Sequence, residues 1–362
     1  MTPLEAEIRA MIALDGPITV ERYMALCLAH PVHGYYLTRD PLGAHGDFVT
    51  APEISQMFGE LIGLWAAAVW QRMGEPKRVY LVELGPGRGT LMADALRAAA
   101  VLPAFAAALA VELVETSPAL CASQQATLAN FSVPIAWRGS VESLPEGPSI
   151  VIGNEFFDAL PIHQAVKDRR GWRERMVGVN EEGRLAFAVH PDIIPNLQAL
   201  APQASADAPE GAMVEWRSDY IVTELSRRIV RHGGAALVID YGYAQATFEE
   251  TLQAVRGHAY TNTLEAPGEA DLTALVDFAA LASSARAAGA RVHGPIPQGE
   301  FLKRLGIELR AEKLKRQATP EQAAEIDASL ARLTQGGEGM GELFKALAIA
   351  HPELGVLPGF ES

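Results

Sequence analysis

The chain has 362 residues, of which 49% are hydrophobic and 20% charged, and its formal net charge is −14. This length allows one large domain with additions or two domains, and the composition is that of an ordinary globular protein. The acidic balance argues against general nucleic-acid binding, which needs a basic surface, and the sequence has no apolar run of about 18 residues that would indicate membrane insertion.

The cysteines and the N-terminus indicate a compartment. Cys27 and Cys121 are far apart in sequence, so they predict neither a disulfide framework nor a metal site. Residues 1–15 mix acidic residues with a single arginine, unlike a signal peptide or an Arg-rich, acid-poor transit peptide. We therefore expect a cytoplasmic protein without a bound metal.

The N-terminal region has helical patterns. Residues 1–38 are predicted to be helical, with a second helix beginning at Thr19. The loop that follows contains Phe48 between glycines. Phe48 is a candidate cofactor contact in a lid, although the same residue could simply end a loop. Thr50 and Glu53 have the spacing of a capping box, which predicts that a helix begins after this loop.

An apolar strand then runs into a glycine-rich turn and a helix, the arrangement that binds anionic groups at a helix N-terminus. The turn glycines are Gly85, Gly87 and Gly89. A dinucleotide fingerprint would have glycine at position 90, where this chain has Thr90, and this favours a smaller anion such as a carboxylate. Glu83 could hold an amino group. The pattern suits an amino-acid-bearing nucleoside better than NAD, and an ordinary strand–helix turn is the alternative.

Two further positions are candidates for the nucleoside. The second buried strand ends at Glu115, where a doubly wound sheet places the acceptor for ribose hydroxyls; a solvated strand end is the alternative. After a short third strand, Ser140 and Val141 lie in the loop that flanks an adenine in this topology. We predict that these three residues contact the cofactor.

A polar cluster follows the fourth strand and is the candidate catalytic site. Asn154, Glu155 and Asp158 reach the carboxyl edge of the sheet, where open α/β folds bind ligands. If the segment opens a helical turn, the two acids share a face. Phe156 and Phe157 can exclude water. The alternative is a helix N-terminus whose acids suit the helix dipole.

The remaining chain departs from alternating strands and helices. Short strands and a proline-rich stretch predict an insertion over the catalytic edge, and residues 272–288 are predicted to be helical. The predicted segments are a helical extension or lid (1–60), the first part of the core (61–161), the insertion (162–216), and the rest of the core with C-terminal helices (217–362).

Five segments, taken in this order, resemble one known family. They are residues 46–56, 83–90, 154–161, 239–242 and 272–278. The combination is similar to the MidA-type S-adenosylmethionine-dependent methyltransferases, whose mitochondrial members assist assembly of respiratory complex I. The resemblance implies an α/β fold, namely a Rossmann-like class I methyltransferase with a seven-stranded sheet. It also implies S-adenosylmethionine as cofactor and a protein arginine as substrate, in the mitochondrial members on a complex I subunit. The cofactor contacts that it implies are Glu83, Gly85, Gly87, Gly89 and Glu115.

The candidate catalytic residues suit an arginine substrate. A guanidinium stays protonated because its pKa is above 12, so carboxylates that grip it can orient one nitrogen and accept a proton. Glu155 and Asp158 are the candidate acids, and Asn154 would fix the target nitrogen.

The predicted function is therefore methylation of an arginine in a complex I subunit or similar partner during assembly. One alternative is a non-enzymatic assembly factor that binds S-adenosylmethionine as a structural ligand. The other is a nicotinamide-dependent oxidoreductase, against which Thr90 counts.

Overall fold

The structure is a computed structural model that describes residues 1–38, 50–245, 247–337 and 339–361. The chain divides into two compact units. The first comprises the described parts of Met1–Phe48, Asp158–Ser218 and Gln245–Asp277, and the second comprises the described parts of Val49–Phe157, Asp219–Ala244 and Phe278–Ser362.

The described α-helices are, in chain order, α1 (Pro3–Asp15), α2 (Val20–Ala29), α3 (Tyr35–Thr38), α4 (Ala51–Ile54), α5 (Gln56–Arg72), α6 (Thr90–Ala99), α7 (Pro103–Ala108), α8 (Pro118–Leu128), α9 (Tyr220–His232), α10 (Phe278–Ala287), α11 (Gln298–Arg304), α12 (Ile307–Lys315), α13 (Pro320–Thr334) and α14 (Met340–Leu343). Short 3-10 turns span Val141–Ser143 and Leu197–Ala199.

The described strands are β1 (Ile18–Thr19), β2 (Val79–Leu84), β3 (Leu109–Val114), β4 (Ile135–Arg138), β5 (Ser149–Asn154), β6 (Ile162–Asp168), β7 (Gly171–Val179), β8 (Leu185–Val189), β9 (Met213–Arg217), β10 (Gly234–Tyr243), β11 (Gln253–Arg256), β12 (Ala259–Thr261), β13 (Asp271–Thr273), β14 (Val276–Asp277), β15 (Arg291–Pro297) and β16 (Phe344–Ala350).

The second unit is built on a mixed sheet. Seven of its strands pair in the order β4-β3-β2-β5-β10-β16-β15. The pairs from β4 to β10 are parallel, and β16 runs antiparallel to both β10 and β15. Every residue of β3 and β5 is buried, as expected for parallel strands covered by helices on both faces. The predicted α/β fold is confirmed, and the carboxyl ends of β2, β3, β5 and β10 lie at one edge of the sheet.

Helices α5 and α6 of this unit approach very closely, and small residues permit the approach. A Cβ atom on Gly63 would lie 2.5 Å from the carbonyl oxygen of Ala95, and one on Gly59 would lie 2.5 Å from the Cβ of Asp94. Since such distances are sterically forbidden, glycine is required at both positions of α5. This packing holds α6, which follows the glycine-rich turn, against the body of the unit.

The helix predicted after residue 50 is divided in two. Thr50 is the N-cap of α4, but its side chain makes no capping hydrogen bond. The capping-box prediction is therefore wrong. Ser55 has an extended backbone and accepts a hydrogen bond from the Met57 amide at 3.2 Å, so it begins α5 as a separate helix.

The first unit combines the N-terminal helices with small antiparallel sheets. In one sheet the order is β1-β7-β6-β9, with β8 paired to β7, and in the other it is β12-β11-β13. Helices α1 and α2 confirm the helical prediction for the N-terminal region, and α2 begins after Thr19 as predicted. The predicted short strands between residues 162 and 216 are present and belong to this unit.

One secondary-structure prediction in the later chain is partly wrong. Residues 272–288 were expected to be helical, but β13 and β14 occupy the start of that range and α10 begins only at Phe278. Leu272 and Val276 are buried in strands, so their apolar spacing reflects strand burial and not a helix face. Across the described ranges, no helix is both long enough and apolar enough to cross a bilayer.

Candidate cofactor and active site

The glycine-rich turn connects β2 to α6 and takes a left-handed backbone. The φ angles are +57° at Gly85, +53° at Gly87 and +82° at Gly89. This region of backbone conformation is unfavourable for residues that have a Cβ atom. A Cβ on Gly85 would also lie 3.0 Å from Cδ2 of Phe156. Gly89 is the N-cap of α6. The turn therefore presents bare backbone directly before a helix N-terminus, as the sequence predicts.

Glu83 is a buried carboxyl next to this turn. Its residue is 3% exposed, and its Oε2 has no hydrogen-bond partner among the residues that the structure describes. Burial raises the pKa of Glu83 from 4.5 to about 8. Because a buried acceptor oxygen without a donor is costly, this site suits a ligand that brings its own charged donor, such as an ammonium group.

Glu115 follows β3, and its carboxylate is held by three hydrogen bonds. Oε1 accepts from the amides of Thr116 and Ser117, both at 2.8 Å, and Oε2 accepts from Nε2 of Gln124 at 3.1 Å. Burial raises the pKa of Glu115, and these hydrogen bonds oppose the rise. The carboxylate is thus oriented at the strand end, where the sequence predicts a ribose acceptor.

The predicted adenine-flanking loop follows β4. Ser140 is exposed and has an extended backbone, while Val141 is buried and opens a 3-10 turn. Glu142 hydrogen-bonds with Ser140 and Tyr220, and these contacts lower the pKa of Glu142. The other predicted cofactor contact, Phe48, lies outside the described residues.

The segment after β5 is a strained turn. Glu155 has φ +49°, which is uncommon for a residue other than glycine. Its Oε1 accepts from the Ala51 amide at 2.9 Å and from Nδ2 of Asn154 at 3.2 Å. Oδ1 of Asn154 is buried without a hydrogen-bond partner in the described part of the chain. An unusual backbone held by surrounding contacts is typical of functional sites.

Asp240, which directly follows the part of β10 that pairs with β5, fixes this turn. Its Oδ2 accepts from the amides of Phe156 and Phe157 at 3.2 and 2.9 Å, and its Oδ1 accepts from the Tyr241 amide at 2.9 Å. No helix begins here, because residues 155–160 are bends, turns and, at Phe156, irregular backbone. The helical turn that would put Glu155 and Asp158 on one helix face therefore does not form.

The three predicted catalytic residues fall in different units. Asn154 and Glu155 belong to the second unit, and Asp158 begins a segment of the first. Within the first unit, the Tyr36 hydroxyl donates to both carboxylate oxygens of Asp271 at 3.0 and 3.1 Å. Burial, followed by the nearby Asp271 and Asp158 carboxylates, raises the pKa of Tyr36. Asp158 thus lies in a buried acidic and phenolic environment.

Three side chains that support the site were not identified from the sequence. Glu53 accepts a hydrogen bond from the Thr90 hydroxyl at 2.6 Å, so the residue that departs from the dinucleotide fingerprint connects α4 to the start of α6. Gln124 contacts Glu115 and the glycine turn, and Asp240 holds the turn after β5. A signal existed for Asp240, since it directly follows the apolar run of residues 235–239, but none marked Gln124 within its helix.

The family model described as “Putative S-adenosyl-L-methionine-dependent methyltransferase” matches residues 61–296 of the chain. The chain belongs to this family. The match spans the glycine-rich turn and the polar segment after β5, and it confirms the resemblance inferred from the sequence motifs. The nicotinamide-dependent alternative is therefore dismissed.

Curated relatives agree with the family. The methyltransferase is 38% identical over 367 residues to “Protein arginine methyltransferase NDUFAF7, mitochondrial” from Danio rerio, a match that covers 94% of this chain and 85% of the relative. The Homo sapiens protein of the same name is 39% identical over 338 residues, covering 87% of this chain and 76% of the relative.

These names overturn the cytoplasmic prediction. The Danio rerio, Homo sapiens and Mus musculus relatives are all named as mitochondrial, so the cytoplasmic assignment from the sequence is wrong. It depended on two cysteines without a disulfide framework, and that pattern indicates a reducing compartment without saying which one.

A solved structure identifies the cofactor class. A Burkholderia thailandensis protein bound to S-adenosyl-homocysteine matches with a TM-score of 0.84 and 29% identity, covering 99% of this chain and 94% of that chain. The enzyme described here uses S-adenosylmethionine. Its own residues fit that molecule, because Glu83 offers a buried acceptor for an amino group and Glu115 an oriented carboxylate for hydroxyls.

Proposed function

We propose that this methyltransferase modifies an arginine side chain of a protein. The names of its relatives give that activity for them, and the acid at the strained turn supports it here. The observation that carries the proposal is the placement of Glu155 beside Asn154 at the carboxyl edge of the sheet, with a fixed backbone. We further propose a respiratory complex I subunit or a similar assembly partner as the acceptor, as the family resemblance implies.

The proposed cofactor contacts divide by chemical group. Glu83 holds the amino group, the backbone of Gly85, Gly87 and Gly89 borders the methionine part, and Glu115 accepts from the ribose hydroxyls. Ser140 and Val141 border the adenine. When bound, S-adenosylmethionine supplies an electrophilic methyl group on a positively charged sulfur. Phe48 remains a predicted contact.

The side chains after β5 orient the acceptor nitrogen. Oδ1 of Asn154, which is buried and has no donor among the described residues, accepts an N–H of the guanidinium and fixes its rotation. Glu155 would accept the proton that this nitrogen loses when the methyl group passes to it from the sulfur. The turn is already ordered for catalysis, because hydrogen bonds from the Ala51 amide and to Asp240 hold it before the substrate binds. The catalytic role of Asp158 remains a prediction.

A labelling experiment tests this proposal. Purified enzyme and tritiated S-adenosylmethionine are added to lysate from cells that lack the enzyme, and labelled proteins are analysed by mass spectrometry. We expect one protein labelled on arginine. The Glu155→Gln variant should give no label while binding S-adenosylhomocysteine as the wild type does. Label on another residue type would refute the arginine proposal. No label, with cofactor binding intact, would favour the non-enzymatic assembly factor.

A further inference from the structure

We infer that Gln124 is a positioning residue that sets both the ribose carboxylate and the glycine turn of the cofactor site. It lies in the middle of α8, and its side chain is fully buried at 0% exposure. A buried glutamine inside a helix must satisfy its amide with specific partners. The inference rests on the proposed ribose role of Glu115 and extends it to a residue that does not itself touch the cofactor.

The amide of Gln124 makes three hydrogen bonds to three separate elements. Its Nε2 donates to the carbonyl oxygen of Gly87 at 2.8 Å and to Oε2 of Glu115 at 3.1 Å. Its Oε1 accepts from Nε1 of Trp137 at 2.8 Å. Both N–H groups and the carbonyl oxygen are therefore used.

Trp137 determines which way the amide faces. The indole N–H can only donate, so the oxygen of Gln124 must face Trp137 and the nitrogen must face the other two partners. Gly87 and Glu115 both present acceptor oxygens, which agrees with this orientation. A reversed amide would set oxygen against oxygen at two contacts and nitrogen against the indole N–H at the third.

The three partners belong to three consecutive strand ends. Gly87 is in the turn after β2, Glu115 follows β3, and Trp137 is in β4, three residues before Ser140. These are the regions proposed for the methionine, ribose and adenine parts of the cofactor. The same side chain also packs under the turn, since a Cβ on Gly89 would lie 3.6 Å from Cγ of Gln124.

Gln124 limits how the Glu115 carboxylate can rotate. The amides of Thr116 and Ser117 hold Oε1, and Gln124 holds Oε2. A carboxylate has about four lone-pair sites, so Oε2 can still accept from a ribose hydroxyl in the orientation that Gln124 sets. Without the glutamine amide, Oε2 loses its protein donor and the carboxylate loses this restraint.

The test measures recognition of the ribose, which a purely structural role would not change selectively. Calorimetry gives the Kd of S-adenosylhomocysteine and of its 2′-deoxyribose analogue for the full-length protein. Gln124→Met keeps the length of the side chain and removes its hydrogen bonds. Gln125→Met is the matched control, because Gln125 is the exposed neighbour on the same helix. Denaturant unfolding of each variant without ligand measures stability separately.

We expect the wild type and Gln125→Met to prefer the ribose compound by about tenfold to 100-fold, the range for a hydrogen bond to a charged group. In Gln124→Met this preference should fall to about threefold or less. Trp137→Phe, which removes the indole N–H that orients the amide, should give an intermediate loss and provides the test if Gln124→Met does not fold.

Glu115→Ala, which removes both acceptor oxygens, separates the inference from the proposal on which it rests. If the wild type shows no preference, or Glu115→Ala keeps it, the ribose role of Glu115 is refuted. If Glu115→Ala loses the preference while Gln124→Met and Trp137→Phe keep it, the positioning role of Gln124 is refuted. A loss of stability in Gln124→Met with an unchanged preference would also overturn it, because Gln124 would then only support the fold.

Discussion

Replacing Glu83 with glutamine should stabilise the protein without ligand and weaken cofactor binding. Glu83 is 3% exposed, and burial raises its pKa from 4.5 to about 8. Folding favours the protonated form of Glu83, and this preference contributes to the free energy of unfolding. The contribution is fully present below pH 4.5 and is lost as the pH rises through about 8. The Glu83→Gln variant has no charge to bury and escapes this loss.

The size of the effect follows from the pKa. A tenfold change in a proton equilibrium corresponds to about 1.4 kcal/mol, so a carboxyl whose pKa rises from 4.5 to about 8 loses on the order of 5 kcal/mol of stability by pH 9. The difference in the free energy of unfolding between Glu83→Gln and wild type should therefore rise by about this amount, in favour of the variant, between pH 4 and pH 9.

Cofactor binding should depend on pH in the opposite sense. An ammonium group on the ligand needs the ionised carboxylate, so the affinity of wild type for S-adenosylhomocysteine should rise about tenfold per pH unit between pH 6 and pH 8. At pH 7, binding should release nearly one proton. Glu83→Gln should bind more weakly at pH 8 and lose this pH dependence.

Two assays check this account. Urea unfolding at several pH values gives the stability difference, and calorimetry in buffers of different ionisation enthalpy counts the protons released on binding. Parallel stability curves for the two proteins across this pH range would refute the reasoning about burial. Equal affinity of the variant at pH 8 would refute the proposed contact with the amino group.

Three further substitutions test other parts of the structure. Gly85→Ala should weaken S-adenosylhomocysteine binding about tenfold. A side chain at φ +57° costs about 1–2 kcal/mol, so the free turn should relax out of the conformation that binds the cofactor. Calorimetry measures the affinity, and Gly74→Ala, also at positive φ but with no atom within 4 Å, should leave it unchanged. Gly63→Ala should lower the free energy of unfolding by about 1–3 kcal/mol in urea because of the facing helix, whereas the exposed Leu64→Ala should change it little. Glu155→Gln should slow methyl transfer at least about 100-fold in a filter-binding assay while keeping cofactor affinity; transfer at the wild-type rate would remove Glu155 from the mechanism.

The second unit could be largely predicted from local patterns. Buried parallel strands are continuous apolar runs, so β2, β3 and β5 stand out between turn residues. The turn at Gly85 to Gly89 is marked because its left-handed backbone requires glycine. Glu83, Glu115 and Asn154 follow from the rule that ligands bind at carboxyl strand ends, which needs only the positions of the strands.

The supporting contacts could not be predicted because they join distant parts of the chain. The hydrogen bond from Gln124 to Gly87 and the one from Thr90 to Glu53 each connect residues 37 positions apart. The conformation after β5 depends on Asp240, which captures the Phe156 amide from 84 residues away. Locally, Asn154 to Asp158 resembles a helix start. The competing acceptor becomes visible only when β10 is placed beside β5.

The apolar spacing in the later chain was ambiguous for a related reason. Short buried strands and the buried face of a helix both present apolar residues at close intervals. In the first unit, β13 pairs with β11, and this pairing decides in favour of strands before α10. The partner strand is itself short and carries no strong signal in the sequence.

An arginine nitrogen of a protein is the proposed acceptor of the methyl group. This proposal is tested by amino-acid analysis of protein labelled by this enzyme with tritiated S-adenosylmethionine, after complete acid hydrolysis and separation of the methylated amino acids. We expect the tritium to co-elute with methylated arginine and to be absent when Glu155→Gln replaces the wild type. Tritium that elutes with methylated lysine or histidine, or that is released as volatile methanol from a carboxyl methyl ester during hydrolysis, would contradict it.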